Sequence, residues 1–108
     1  MMAISTHVLD AALGRPAAGV RVHLEHLRAA VWTQVAEGVT DADGRLKDLP
    51  VAEGAHRLVF HTGEYLAATD RPVFYPEVVV SFLVADVGQH HHVPLLLSPF
   101  AYSTYRGS

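Results

Sequence analysis

Histidine is the residue this chain overuses: eight among 108, three of them consecutive at His90, His91 and His92. A neutral imidazole, with an unperturbed pKa of about 6.5, can take a proton from water at neutral pH, and it is also a common nitrogen ligand for metals. In an extended segment successive side chains point to opposite faces, so His90 and His92 share one face and His91 takes the other. Two imidazoles do not complete a metal site, and the chain offers neither a cysteine nor a paired-carboxylate motif as further ligands. From the residues alone three readings stay open: a metal pair, two solvated histidines on an edge, or a pair facing a pocket.

A second candidate is Arg45, which emerges from the turn cluster Thr40-Asp41-Ala42-Asp43-Gly44, where Gly44 can take a positive φ. Asp41-Ala42-Asp43-Gly44 has the opening of a calcium loop, but Arg45 stands where the next oxygen ligand belongs, so we exclude a metal there. Taken alone, Arg45 is a surface cation. No glycine-rich phosphate loop occurs, and no serine has the neighbours of a nucleophile elbow.

The elements that must position these residues are strands. Apolar residues alternate in segments parted by turn residues every ten or so positions, the pattern of an all-β sandwich of about eight strands. Ile4, Thr6 and Val8 alternate with Ser5, His7 and Leu9, which puts His7 on the face opposite the apolar set. Val20, Val22 and Leu24 alternate with Arg21, His23 and Glu25, and residues 31–35 and 54–61 give further strands. Residues 62–68 lack a β-branched run and predict one short helix with Thr62 as its cap. Residues 74–84 predict a strand that tolerates Pro76 near its start. In a strand over 89–97, His90, His92, Pro94 and Leu96 share one face, while the apolar set Val93, Leu95 and Leu97 makes the other, with His91, the core side; this favours a pocket for His90 and His92. In the last strand, 100–105, the small residues Ala101 and Ser103 share a face with Tyr105 and Gly107 and leave space.

With half its residues apolar and 18% charged, the chain has the composition of one domain, 1–108, with a core of its own. A net charge of -3 gives no basic field for nucleic acid or an anionic membrane, and no apolar run reaches the length of a membrane helix. Met1 to His7 holds no basic patch followed by an apolar stretch, and the chain lacks a Ser-Lys-Leu ending; both predict a cytoplasmic protein.

His7-Val8-Leu9-Asp10, Asp43-Gly44-Arg45-Leu46, Pro94-Leu95-Leu96-Leu97-Ser98-Pro99 and the closing Tyr102-Ser103-Thr104-Tyr105-Arg106-Gly107-Ser108 resemble the 5-hydroxyisourate hydrolases, transthyretin-related enzymes of urate breakdown. The resemblance spans essentially the whole chain, and Tyr105-Arg106-Gly107-Ser108 is its most specific part, since it separates the hydrolases from transthyretin proper. One departure is His91, where the family usually carries tyrosine. The resemblance implies a transthyretin-like sandwich assembled as a homotetramer, a dimer of dimers with its sites in a channel between the dimers. It implies hydrolysis of 5-hydroxyisourate to 2-oxo-4-hydroxy-4-carboxy-5-ureidoimidazoline without metal or organic cofactor. It assigns His7, Arg45 and His92 to catalysis, and His7, Arg45, Tyr105 and Ser108 to substrate binding; His90 joins the binding set because it shares a face with His92. The rival readings are a transthyretin-like carrier that binds an apolar ligand without chemistry, and an immunoglobulin-like interaction module.

Overall fold

A computed structural model describes residues 3–108; Met1 and Met2, the first two residues of the start considered above, lie outside it. Its elements run β1 (Ile4–Asp10), β2 (Arg15–Pro16), β3 (Arg21–Arg28), β4 (Val31–Val39), β5 (Arg45–Leu49), β6 (Gly54–Phe60), α1 (Thr62–Ala68), β7 (Val78–Val84), β8 (His91–His92), β9 (Leu95–Ser98) and β10 (Ala101–Thr104). Eight of these strands have four residues or more, and two are short pairings of two residues. One sheet runs β4-β3-β6-β7. The other runs β10-β9-β1-β2, with β5 and β8 also paired to β1.

The apolar alternation that predicts these strands is what joins the sheets. Ile4, Val8, Leu95 and Leu97 from one sheet meet Val22, Leu24, Leu58, Phe60 and Val78 from the other in a single buried cluster. Burial of this kind contributes roughly 25 cal/mol per Å² of apolar surface and fixes which residues of each strand turn outward. Among the described residues no helix is long and apolar enough to cross a membrane.

Four expectations need correction. Residues 89–97 do not form one strand: β8 and β9 are parted at Val93-Pro94, because proline has no N–H to give the ladder. Both pieces nevertheless hold the same parallel register on β1, with Ile4 opposite His91 and Val8 opposite Leu95, so the alternation of faces survives the break. The strand expected from Phe74 begins only at Val78. Thr62 is not the helix cap: His61 holds that position without a side-chain bond, and the Thr62 hydroxyl donates to the Tyr75 carbonyl instead. Finally, β5 is not among the predicted strands, since Arg45-Leu46-Lys47-Asp48-Leu49 has no β-branched residue; pairing with β1, rather than its own propensity, makes it extended.

Candidate active site

Strand β1 is central in its sheet, with β5 along one side and β8 and β9 along the other. Its inward residues Ile4, Thr6, Val8 and Asp10 are buried in the core, and Ser5 and His7 lie on its other face. Cross-strand pairing does the rest: His7 stands opposite Arg45 of β5, and Ser5 stands opposite His92 of β8. A guanidinium and an imidazole thus flank β1 from its two neighbours. They converge on a pocket of about 230 Å³ lined by Ser5, Thr6, His7, Arg45, Lys47, His90, His92 and Ser108.

Each wall of this pocket has an identifiable cause. The Asp41 carboxylate accepts from the backbone N–H groups of Asp43 and Arg45, both at 2.9 Å, and closes the turn that feeds β5. Gly44 completes the turn at φ +76, where a Cβ would sit 2.4 Å from the Val8 carbonyl oxygen, so no side chain fits there. The same turn orients His7, whose Nε2 lies 2.8 Å from the Asp43 carbonyl oxygen. A carbonyl only accepts, so that Nε2 carries the hydrogen and a neutral His7 keeps its lone pair on Nδ1. Lys47 joins the pocket from the position two beyond Arg45, on the same side of β5.

On the opposite wall Ser5, only 4% exposed, holds both flanking histidines. Its Oγ lies 2.8 Å from His90 Nε2 and 2.8 Å from His92 Nδ1. This leaves Nε2 as the ring nitrogen of His92 with no side-chain hydrogen bond to the described residues. Burial, then the neighbouring His90, His7 and Arg45, pushes the His92 imidazole below its ordinary pKa, so it is neutral at neutral pH. The chain end is fastened to the same residue: the Gly107 N–H donates to the His92 carbonyl at 2.8 Å, which carries Ser108 into the pocket.

Of the six residues singled out in the sequence, His7, Arg45, His90, His92 and Ser108 line this one pocket. Tyr105 does not. It is exposed and lines an adjoining cavity of about 220 Å³ between β7 and the chain end, with Val80, Phe82, His91, His92 and Arg106; His92 is common to both. His91 points to the core side, as its parity requires, and is buried with its Nδ1 3.0 Å from the Gln89 carbonyl. Sequence reasoning missed Ser5, Thr6 and Lys47. The signal for two of them was parity, since Ser5 precedes His7 by two residues and Lys47 follows Arg45 by two. Among the described residues no group of three or more His, Cys, Asp or Glu side chains is placed to hold a metal ion.

The pocket therefore combines two neutral-capable imidazoles with a planar cation and an ammonium. Such a set can bind an anionic or carbonyl-rich ring and activate water beside it.

Comparison with known proteins gives consistent results. Residues 4–107 match the model of the HIUase/Transthyretin family. The chain is 46% identical over 109 residues to a 5-hydroxyisourate hydrolase of Salmonella typhimurium, covering 97% of this chain and 80% of that protein. Among solved structures, 5-hydroxyisourate hydrolase of Klebsiella pneumoniae superposes with a TM-score of 0.85 at 35% identity, covering 97% of this chain and 98% of that one. Transthyretin from Sparus aurata superposes with a TM-score of 0.93 at 33% identity over 99% of this chain and 97% of that one.

Proposed function

This chain belongs to the HIUase/Transthyretin family, and from that premise we propose that its pocket hydrolyses 5-hydroxyisourate at a ring amide, giving 2-oxo-4-hydroxy-4-carboxy-5-ureidoimidazoline. The observation that carries this reading is the pairing of His7 with Arg45 and of Ser5 with His92 across β1, which turns two imidazoles and a guanidinium toward one small space.

Arg45 grips a ring carbonyl by paired hydrogen bonds and holds the negative charge that develops on its oxygen. His7 and His92 share the activation of water. An imidazole nitrogen takes one proton as the water oxygen bonds to the carbonyl carbon, and the resulting oxyanion rests against the guanidinium. The ring C–N bond then breaks, its nitrogen receives the proton from the imidazolium, and the carbonyl carbon becomes a carboxylic acid, which releases its remaining proton to bulk water as the carboxylate. His7 suits the base role because the Asp43 carbonyl already holds its Nε2–H, leaving Nδ1 to receive the proton. His92 suits it because its surroundings keep it neutral. Lys47, Ser108 and His90 border the ring, and Tyr105 belongs to the site through the cavity that shares His92 with it. The mechanism needs no metal and no organic cofactor.

The same reading includes assembly as a homotetramer, a dimer of dimers, with the pocket opening into a channel between copies. A carrier would fill this space with an apolar ligand, for which two imidazoles, a guanidinium and an ammonium are poor walls.

The test is the decay of freshly generated 5-hydroxyisourate followed by absorbance. The protein should accelerate it with or without chelator. His7→Ala and His92→Ala should each lose on the order of a hundredfold, the usual share of general base catalysis. Decay no faster than in buffer would overturn the reading.

A further inference from the structure

We propose that Ser5 is a proton relay between His92 and His90, so that the positive charge His92 gains from water is held on the exposed His90 until the ring nitrogen departs. This rests on the hydrolytic reading above and adds a role for a residue that reading does not use.

The basis is the count of hydrogens around one oxygen. Ser5 Oγ lies 2.8 Å from a nitrogen of each ring and has a single proton of its own. It can donate to one imidazole only, and it accepts from an N–H of the other. Two arrangements satisfy this. In the first, His92 carries its hydrogen on Nδ1, donates it to Ser5, and presents a bare Nε2 to the pocket, while Ser5 donates to His90 Nε2. The second is the reverse. The first is the form ready to act as a base.

When His92 Nε2 takes a proton from water, its Nδ1 proton passes to Ser5 Oγ as the hydroxyl proton passes to His90 Nε2. Ser5 ends unchanged and His92 ends neutral with its hydrogen on Nε2. The positive charge sits on His90, whose two nitrogens are now both protonated, and the hydroxide oxygen is bonded to the substrate carbon. When the ring nitrogen leaves it takes the Nε2 proton of His92, and the relay runs back, His90 Nε2 returning its proton to Ser5 Oγ as the hydroxyl proton returns to His92 Nδ1, so that atoms and charge balance without a co-reactant.

The direction of transfer follows from the surroundings. His7 from β1, Arg45 and Lys47 from β5, and His90 itself face or border His92, and His92 is half-buried. A cation on His92 would stand in a poorly hydrated space beside a guanidinium and an ammonium. His90 is exposed, so water solvates the same charge there. The two rings lie 6.5 Å apart between centroids at 21°, too far for direct exchange between their nitrogens to be favoured over the hydroxyl that bridges them. Ser5 itself is buried, and its place is set by backbone pairing, with the Val93 N–H donating to its carbonyl at 2.9 Å.

The experiment compares Ser5→Ala, Ser5→Thr and His90→Asn with the parent protein, each checked for native melting and assembly. Expected are a kcat lower by roughly tenfold in Ser5→Ala and His90→Asn, with KM nearly unchanged in Ser5→Ala, a smaller solvent deuterium effect on kcat in both, and recovery toward parent values in Ser5→Thr, which keeps the hydroxyl. Added imidazole should restore His90→Asn, because that position is open to solvent. NMR titration of the imidazole protons supplies a readout without turnover: protonating either ring should perturb the other more strongly in the parent than in Ser5→Ala, where only their through-space repulsion remains. A parent-like kcat and deuterium effect in Ser5→Ala would overturn the relay, as would rings that titrate independently in the parent. The relay can thus fail while His92→Ala remains inactive and the hydrolytic reading stands. Equally, absence of any hydrolysis would sink that reading while the titration still reports on the relay.

Discussion

Gly107 lies against the imidazole of His92 so closely that a Cβ added to it would fall 2.4 Å from the ring's Cδ2 and 3.2 Å from Cγ. The ring cannot yield cheaply, because Ser5 holds its Nδ1 and the Gly107 N–H is bonded to the His92 carbonyl. Gly107→Ala should therefore displace the imidazole and cost on the order of a hundredfold in kcat/KM, comparable to losing a general base. Its melting temperature should stay within a few degrees of the parent, since the chain end buries little. Full activity in this variant would show that the ring has freedom the geometry denies it.

Arg45→Lys should lose far more than the conserved charge suggests, roughly tenfold to a hundredfold in kcat, because an ammonium on a flexible stem cannot reproduce a planar two-point grip. Lys47→Gln should instead raise KM by about threefold to tenfold with kcat nearly intact, as expected of a group that attracts the ring without holding the reacting carbonyl. Steady-state kinetics on the two variants separates these roles, and equal effects of both on kcat would refute the division.

Asp10 supplies an acid-sensitive anchor at the end of β1, the strand that carries Ser5 and His7. Its carboxylate is 1% exposed, and it accepts from the Tyr65 hydroxyl at 2.7 Å and from the Arg71 guanidinium. Burial alone would raise its pKa, but the bonds from Arg71, Tyr65 and the Leu13 N–H outweigh it and bring the value from 3.8 down to about 2. A carboxyl depressed in the folded state stabilises the fold fully above its unfolded value and loses that contribution as pH falls from about 4 toward 2. The difference is about 2 kcal/mol. Melting temperature should accordingly drop through this window in the parent, and Asp10→Asn should be destabilised at pH 7 with a flatter acid profile; parallel profiles would exclude Asp10 as the cause.

The β3–β4 hairpin turns on Ala29 and Ala30, both in the left-handed region at φ 49 and 64. Two-residue hairpins of this hand prefer Asn-Gly, and each alanine there pays a steric cost. The double change Ala29→Asn, Ala30→Gly should stabilise the protein by about 1 kcal/mol without altering turnover, as a denaturant midpoint would register. An unchanged or lower midpoint would mean that the turn is not strained.

The legible part of the site was the part governed by alternation. Because Ile4, Thr6 and Val8 must enter the core, His7 is forced onto the other face of β1; because Val93, Leu95 and Leu97 must do so as well, His90 and His92 follow. That held even across Pro94, where the predicted strand breaks, since β8 and β9 keep one register on β1. What escaped is set by partners distant in sequence. β5 is extended only because β1 pairs with it, so its composition does not announce the strand on which parity would set Lys47 beside Arg45. Ser5 has an unremarkable side chain until two histidines more than eighty residues away close on it. The position of Tyr105, outside the pocket that receives Ser108, depends on the pinning of Gly107 to His92, a contact that no local pattern announces.

The hold of the Asp43 carbonyl on His7 bears on how this site drifts over evolutionary time. A backbone oxygen performs the orienting task that a carboxylate side chain performs in many hydrolases, so residue 43 can change identity while the task is still done. Saturation mutagenesis would score the position as permissive and pass over it. The dependence would surface only under changes that move the main chain, such as a lengthened turn or any side chain at Gly44, and relatives that differ freely at this position would still orient His7 in the same way.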